Sequence, residues 1–146
     1  MSTPVLSIQQ VSDYIQDTPL TNYLLDGSEF TPSRIDIAIQ LAISAANAVP
    51  PRTTYDIYNF PHIELLMTGT LWKLCEGQSA FFARNSLPYS DGGVTINLEE
   101  RQDAYLTMAR NFQARFFEGV TLMKQETNLE AGWGILPSDF GSFPYF

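Results

Sequence analysis

The 146-residue chain has one cysteine, one histidine and no apolar run long enough to cross a membrane. A single cysteine, Cys75, excludes an intrachain disulfide, and its position beside a helical apolar stripe predicts a buried, inert thiol. A single histidine, His62, excludes most zinc sites, because these use several histidine or cysteine ligands. A membrane-spanning helix needs about 20 mostly apolar residues, so none is expected. The N-terminal residues lack the basic and apolar regions of a signal peptide, which predicts synthesis in the cytoplasm.

Basic residues are also scarce. The chain has 8 Lys and Arg against 16 Asp and Glu, for a net charge of −8, and residues 1–30 contain no basic residue. No cluster of Lys and Arg is present, which excludes an extended surface for gripping phosphates. Two interpretations of the negative charge stay open at this point. It either serves solubility alone, or it keeps the surface from adhering to nucleic acid.

No constellation of residues for catalysis is present. The tripeptide His62-Ile63-Glu64 matches half of a zinc-deaminase signature, but the second half requires two further cysteines. Glu99, Glu100 and Asp103 lie where the first turns of a helix favour negative charge, so a structural role explains them. The sequence therefore predicts no catalytic, cofactor-binding or metal-binding residue. A non-enzymatic protein is favoured over an enzyme with a pocket among the Tyr and Trp residues.

Apolar residues at helical spacing predict four helices in a single domain, 1–146. The first is short and is stopped at Thr18-Pro19, and the second begins at Thr31-Pro32 with a proline in the first turn. The third follows Phe60-Pro61 and ends near residue 85, and the fourth runs from Asn97 to about residue 128. The predicted fold class is mainly α, a bundle of three long helices plus the short N-terminal helix.

Two details of this prediction concern the second helix and its exit. Ile37, Leu41 and Ala45 widen the apolar stripe of the helix, which predicts that it is buried over much of its circumference. The segment Arg52–Phe60 alternates and is rich in β-branched and aromatic residues, which favours an extended segment or a short strand.

A small β-finger, residues 87–97, is predicted between the third and fourth helices. The predicted chain organisation is an N-terminal extension, 1–30, followed by a helical core, 31–128, and the finger lies within this core. The pair Asp91-Gly92 tolerates the positive φ angles of a tight hairpin turn, and Val94-Thr95-Ile96 alternates as a strand does. Its candidate interface residues are Tyr89, Asp91, Gly92, Gly93, Val94 and Ile96.

Residues 129–146 combine glycines and prolines with large aromatics and are predicted to form an irregular C-terminal arm. Two alternatives are open: the arm folds back over its own core, or it docks on a neighbouring subunit, because exposed aromatic patches mark interfaces. The candidate interface residues here are Trp133, Phe140, Phe143, Tyr145 and Phe146.

Four stretches within residues 31–134 carry a resemblance to a known group of proteins: TPSRIDIAIQLAISAANAVPP, FPHIELLMTGTLWKL, ARNSLPYSDGGVTINL and NLEAGWG. The chain resembles the small helical structural proteins of the head-to-tail connection, or neck, of tailed bacteriophages. The stretch RNSLPYSDGG between two amphipathic helices is the most distinctive part of this resemblance.

The resemblance implies a virion structural protein, a connector or adaptor that forms a homo-oligomeric ring, typically twelve-fold, beneath the portal protein. The finger and the arm would then contact neighbouring subunits and other neck or tail proteins. DNA would pass through the lumen without sequence-specific binding. The alternatives are another tail or baseplate component of the virion, or a soluble helical module that binds a protein partner.

Overall fold

The computed structural model describes residues 5–22, 26–85, 90–91, 94–95 and 98–135. Side chains are described for all of these residues except those within 90–99 and 132–135. The described part is mainly helical, which confirms the predicted fold class. Its elements in chain order are α1 Ile8–Tyr14, α2 Pro32–Ala48, α3 Ile63–Arg84, β1 Ser90–Asp91, β2 Val94–Thr95 and α4 Leu98–Ile135.

The helices begin where the sequence places capping residues. Ser7 Oγ accepts a hydrogen bond from the Gln10 backbone N–H at 3.1 Å, and Gln10 Oε1 accepts one from the Ser7 N–H at 2.9 Å. This reciprocal capping box starts α1. Thr31 caps α2 through a single hydrogen bond, which its Oγ1 accepts from the Arg34 backbone N–H at 3.3 Å. Pro32 occupies the first turn.

The three long helices form an up-down-up bundle. Gly69 of α3 lies against Phe116 of α4 and Ala42 of α2, and Gly119 of α4 lies against Leu65, four residues before Gly69 on α3. Residue numbers on α4 therefore fall as those on α3 rise, so these two helices are antiparallel. The core lies along this crossing, where Phe116, Val120 and Ala42 are fully buried.

The exit from α2 is a loop rather than a strand. Residues 52–56 have no regular structure and 57–59 form a turn, so the short strand considered for Arg52–Phe60 is absent. The Asp56 carboxylate accepts hydrogen bonds from the N–H groups of Tyr58 at 2.8 Å and Asn59 at 3.0 Å. Asp side chains compete in this way with strand ladders, and the alternating pattern alone did not reveal it.

The prediction that α2 is buried around much of its circumference was wrong. Ile35, Ala38 and Ile39 are buried, but Ile37 is 55% exposed and Leu41 is 48% exposed. In the described part of the chain α2 packs mainly against α3, which leaves Ile37 and Leu41 exposed, whereas Ala45 of the same stripe packs against the core.

The last helix is longer than predicted. α4 runs for 38 residues to Ile135, whereas the irregular arm was predicted to begin at residue 129. A glycine inside a helix costs only about 1 kcal/mol, so Gly119, Gly132 and Gly134 do not end it. Proline is a much stronger helix breaker, and Pro137 follows two residues after the helix ends.

Candidate functional site

The predicted finger is described only in part. Ser90 pairs with Thr95 and Asp91 with Val94 in an antiparallel two-stranded ladder. The other candidate interface residues of the finger, Tyr89, Gly92, Gly93 and Ile96, lie outside the described residues. The finger as an interface element stays a prediction.

The predicted arm divides into two parts. The backbone of Trp133 belongs to α4, which corrects the irregular structure predicted there. The other candidates, Phe140, Phe143, Tyr145 and Phe146, lie outside the described residues, so their role as an interface stays a prediction.

The end of α4 extends away from the rest of the bundle. Every residue from 125 to 131 is exposed, and Leu129 is 61% exposed. Among the α4 residues whose side chains the structure describes, the last buried ones are Met123 and Lys124. We call residues 125–131 the α4 extension. It spans about two turns of a helix that no other described element covers.

A second exposed surface is a groove between the N-terminal half of α2 and the C-terminal half of α3. Its apolar lining includes Phe30, Ile37, Leu41 and Phe81. Three of these side chains are unusually exposed for large apolar residues, at 55% for Ile37, 48% for Leu41 and 37% for Phe81. Gly77 also lines the groove, and a Cβ atom there would meet nothing within 4 Å. We call this surface the α2–α3 groove.

All the charged residues that line the α2–α3 groove are basic: Arg34, Lys73 and Arg84. Lys73 Nζ lies 3.9 Å from the centroid of the Trp72 ring and 3.5 Å from the Glu76 carboxylate, which is itself outside the lining. Within the described part of the chain, Arg34 and Arg84 make no ion pair. Three of the chain's 8 basic residues therefore line a single apolar groove in a protein of net charge −8.

The groove is anchored to α4 through a polar cluster. Glu29 Oε1 accepts hydrogen bonds from Tyr105 Oη at 2.8 Å and from Gln78 Nε2 at 3.0 Å. The buried Asp17 carboxylate accepts hydrogen bonds at 2.7 Å from the Glu29 and Phe30 backbone N–H groups, which holds the loop before α2 in place. Burial, with the hydrogen bond to Glu29 as the next cause, raises the pKa of Tyr105 well above its ordinary value. A phenol that stays neutral and donates to a carboxylate is a structural group here.

The lone thiol has the properties of a core residue. Cys75 is 4% exposed, and burial, assisted by the nearby Glu29 charge, raises its pKa to about 11. A reactive thiol needs a lowered pKa, so this cysteine has no activated nucleophile character. The prediction that the thiol is buried is confirmed, and its inertness stays a prediction.

Neither His62 nor the acidic residues form a metal site among the residues that the structure describes. His62 is exposed and caps α3 without a side-chain hydrogen bond. Across residues 5–22, 26–85 and the described part of 90–135, no group of three His, Cys, Asp or Glu side chains could hold a metal ion. Among the same residues, no helix combines the length and apolar character that crossing a membrane requires.

The groove was not predicted from the sequence, although the sequence contains a pattern that indicates it. Ile37 and Leu41 were recognised as a second apolar stripe on α2, and that stripe was assigned to the interior. Arg34, which sits one turn before Ile37, marks the stripe as a surface, because a lone Arg is rarely buried.

Comparison of the chain with protein-family models, with curated proteins and with solved structures finds no match.

Proposed function

We propose that the protein is a structural subunit of a tailed-phage virion that forms a head-to-tail connector ring beneath the portal protein. The proposal combines the sequence resemblance with a bundle that has no assembled chemistry in its described part. In this role the protein is not an enzyme, and it works in the neck of the virion after synthesis in the host cytoplasm.

The observation that carries the proposal is the form of α4. A helix of 38 residues is about 57 Å long, whereas a compact chain of this size has a diameter near ~40 Å. The exposed α4 extension supplies about 10 Å of this length. A helix that projects from its own bundle and leads to an aromatic segment is suited to contact neighbouring molecules.

Exposed apolar surface supports the same proposal. Ile37, Leu41 and Phe81 are exposed beside one another in the α2–α3 groove, and Leu129 is exposed on the α4 extension. Large apolar side chains that cluster on a surface mark a contact with another protein. A ring subunit needs at least two such surfaces, since each copy contacts one neighbour on either side.

The distribution of charge fits the passage of DNA. The net charge is −8, and an acidic lumen would repel the DNA backbone rather than trap it. The ring would therefore conduct DNA without sequence-specific contacts.

Size-exclusion chromatography with light scattering tests the proposal. The full chain is measured alone and then mixed with the portal and neck proteins encoded in the same genome. We expect a closed oligomer, typically of twelve subunits, in at least one of these conditions. A chain that stays monomeric in every mixture contradicts the connector role and favours a helical adaptor module. Rings that bind tail or baseplate proteins but not the portal favour the other virion positions.

A further inference from the structure

We infer that the α2–α3 groove receives the aromatic segment 136–146 of a second copy of this chain. This inference rests on the proposed function, because it assigns one contact between neighbouring subunits of the ring. It also explains why an apolar groove on a soluble bundle is lined by three cations and no anion.

The sequence of the segment is complementary to the groove. Residues 136–146 read LPSDFGSFPYF, with four aromatic residues, one acid at Asp139 and no base. The apolar lining, which includes Ile37, Leu41 and Phe81, offers contact area for aromatic rings. Arg34 and Arg84 make no ion pair within the described part of the chain, so the groove can accept a negative charge. Arg and aromatic anchors are the residue types that dominate binding at interfaces.

The length of the chain requires a second copy. Gln78 lines the middle of the groove and lies level with Tyr105 on α4, since both donate to Glu29 Oε1. From Tyr105 to Ile135, α4 continues as one helix for 30 residues, about 45 Å. The 11 residues that follow span at most ~38 Å even when fully extended. The segment therefore cannot reach the middle of the groove of its own chain.

The direction of the helices makes a neighbour a suitable donor. The α4 extension projects from the end of the bundle where Lys124 meets the last turn of α2, whereas the groove lies beside the first turns of α2. Donor and acceptor surfaces at opposite ends give a head-to-tail contact. A contact of this kind closes into a ring when its rotation permits.

Disulfide cross-linking between full-length chains tests the contact. One tagged chain carries Gly77→Cys and a second, differently tagged chain carries Ser142→Cys. The native Cys75 is buried, so we expect it not to compete for the disulfide. We expect a disulfide between the two chains under mild oxidation in the assembled state. The matched control replaces Gly77→Cys with Ala114→Cys, an exposed position on α4 outside the groove, and we expect at least about tenfold less cross-link from it.

Filling the groove gives a second measurement. A side chain at position 77 meets no other atom nearby, so Gly77→Leu should fold as well as the native chain while occupying the groove. We expect it to weaken self-association by about tenfold or more in light scattering, while Ala114→Leu leaves self-association unchanged.

The outcomes separate this inference from the proposed function. Rings that form without the Gly77–Ser142 disulfide, and that tolerate Gly77→Leu, overturn the groove contact and leave the connector role standing. The specific disulfide in open dimers that never close, with or without the portal, supports the groove contact and contradicts the ring. A third chain carries both Gly77→Cys and Ser142→Cys. A disulfide that forms only within this chain overturns the inference, because the segment then reaches its own groove.

Discussion

The ammonium group of Lys124 lies among backbone carbonyls rather than in water. Lys124 is 2% exposed, and its Nζ donates to the carbonyl oxygens of Ala46 at 2.6 Å, Pro51 at 2.9 Å and Val49. These carbonyls lie at and after the C-terminal end of α2, where the helix dipole favours a positive charge. Burial lowers the pKa of Lys124. The three carbonyl contacts hold the ammonium group at the C-terminal end of α2.

We expect Lys124→Met to lower the free energy of unfolding by about 2–4 kcal/mol, because it leaves buried carbonyls without a donor. The methionine keeps the apolar stem of the side chain, so the loss reports the ammonium group. The matched control is Lys73→Met, which removes a surface pair with Glu76 and should cost less than about 1 kcal/mol. Urea denaturation measures both, and equal losses would show that the carbonyl cluster does not need the lysine.

The two groups with raised pKa values make stability depend on alkaline pH. The Cys75 pKa is about 11 in the folded chain against an ordinary 9.0, so the folded state keeps a proton that the unfolded state releases. This contribution is fully present below pH 9 and is lost as the pH rises from 9 to 11. Tyr105 acts in the same direction from about pH 10 upward, and Lys124, whose pKa is lowered, acts in the opposite direction.

We expect Cys75→Ala to reduce the fall in unfolding free energy between pH 9 and 11 by roughly 2 kcal/mol. The comparison uses the slope with pH, since the variant also loses core packing at every pH. Urea denaturation at a series of pH values measures it. An unchanged slope would mean that the thiol contributes nothing to the pH dependence.

At the scale of the helices, glycines set how closely the elements approach. A Cβ at Gly69 would lie 2.5 Å from Phe116 Cε2 and 3.0 Å from Ala42 Cβ, so the three long helices meet at this point. Phe116 is fully buried and cannot move aside. Gly77 has open space around it, and the absence of a side chain there leaves the groove open.

We expect Gly69→Ala to destabilise the chain by about 1–3 kcal/mol through this clash. Gly77→Ala provides the control on the same helix and should stabilise the chain by about 0.5–1 kcal/mol, since alanine favours a helix over glycine. Thermal unfolding of both variants measures the difference. Equal effects at the two positions would refute the close approach at Gly69.

The α4 extension predicts the effect of removing the C-terminal residues. We expect deletion of residues 131–146 to abolish assembly while the helical circular dichroism and the unfolding midpoint change little. The reason is that the deletion begins at the exposed end of the α4 extension and leaves the buried residues Met123 and Lys124 in place. A second, full-length variant replaces the four aromatic residues with serine and should also abolish assembly, which would assign the loss to the aromatic side chains: Phe140, Phe143, Tyr145 and Phe146. A truncated chain that unfolds would place the segment in the core of its own subunit.

At the scale of the whole molecule, the proposed ring would give the negative charge a function in its lumen. Many of the acids are exposed and free to face a lumen, including Asp13, Asp26, Asp103 and Glu118. Asp17 is different, because its buried carboxylate accepts the backbone hydrogen bonds of Glu29 and Phe30. An experiment on the lumen must therefore leave Asp17 intact.

We expect reversal of Asp13, Asp26, Asp103 and Glu118 to lysine to slow the ejection of DNA from assembled phage, because a basic lumen attracts the phosphate backbone. Changing the same residues to asparagine or glutamine separates attraction from lost repulsion and should have a smaller effect. Ejection kinetics and infectivity measure both sets. Unchanged kinetics in the lysine variant would show that the charge serves solubility alone.

The sequence by itself determined the helices, because their signals are local. The capping box at Ser7, Thr31 with Pro32, and the apolar spacing of α3 depend only on near neighbours along the chain. The buried thiol of Cys75 followed from the same spacing. The length of α4 was underestimated because two glycines were treated as helix breakers, although their cost is small beside the gain from a continuing helix.

Only the tertiary structure decided which apolar faces are covered. Ile37 and Leu41 have the same composition and spacing as a core stripe, and their exposure depends on how many helices pack around α2. The Lys124 contacts likewise join residues 73 to 78 positions apart, and the contact between Glu29 and Tyr105 joins residues 76 positions apart. Periodicity reports which side chains share a face, but burial of that face depends on partners that are distant in the chain.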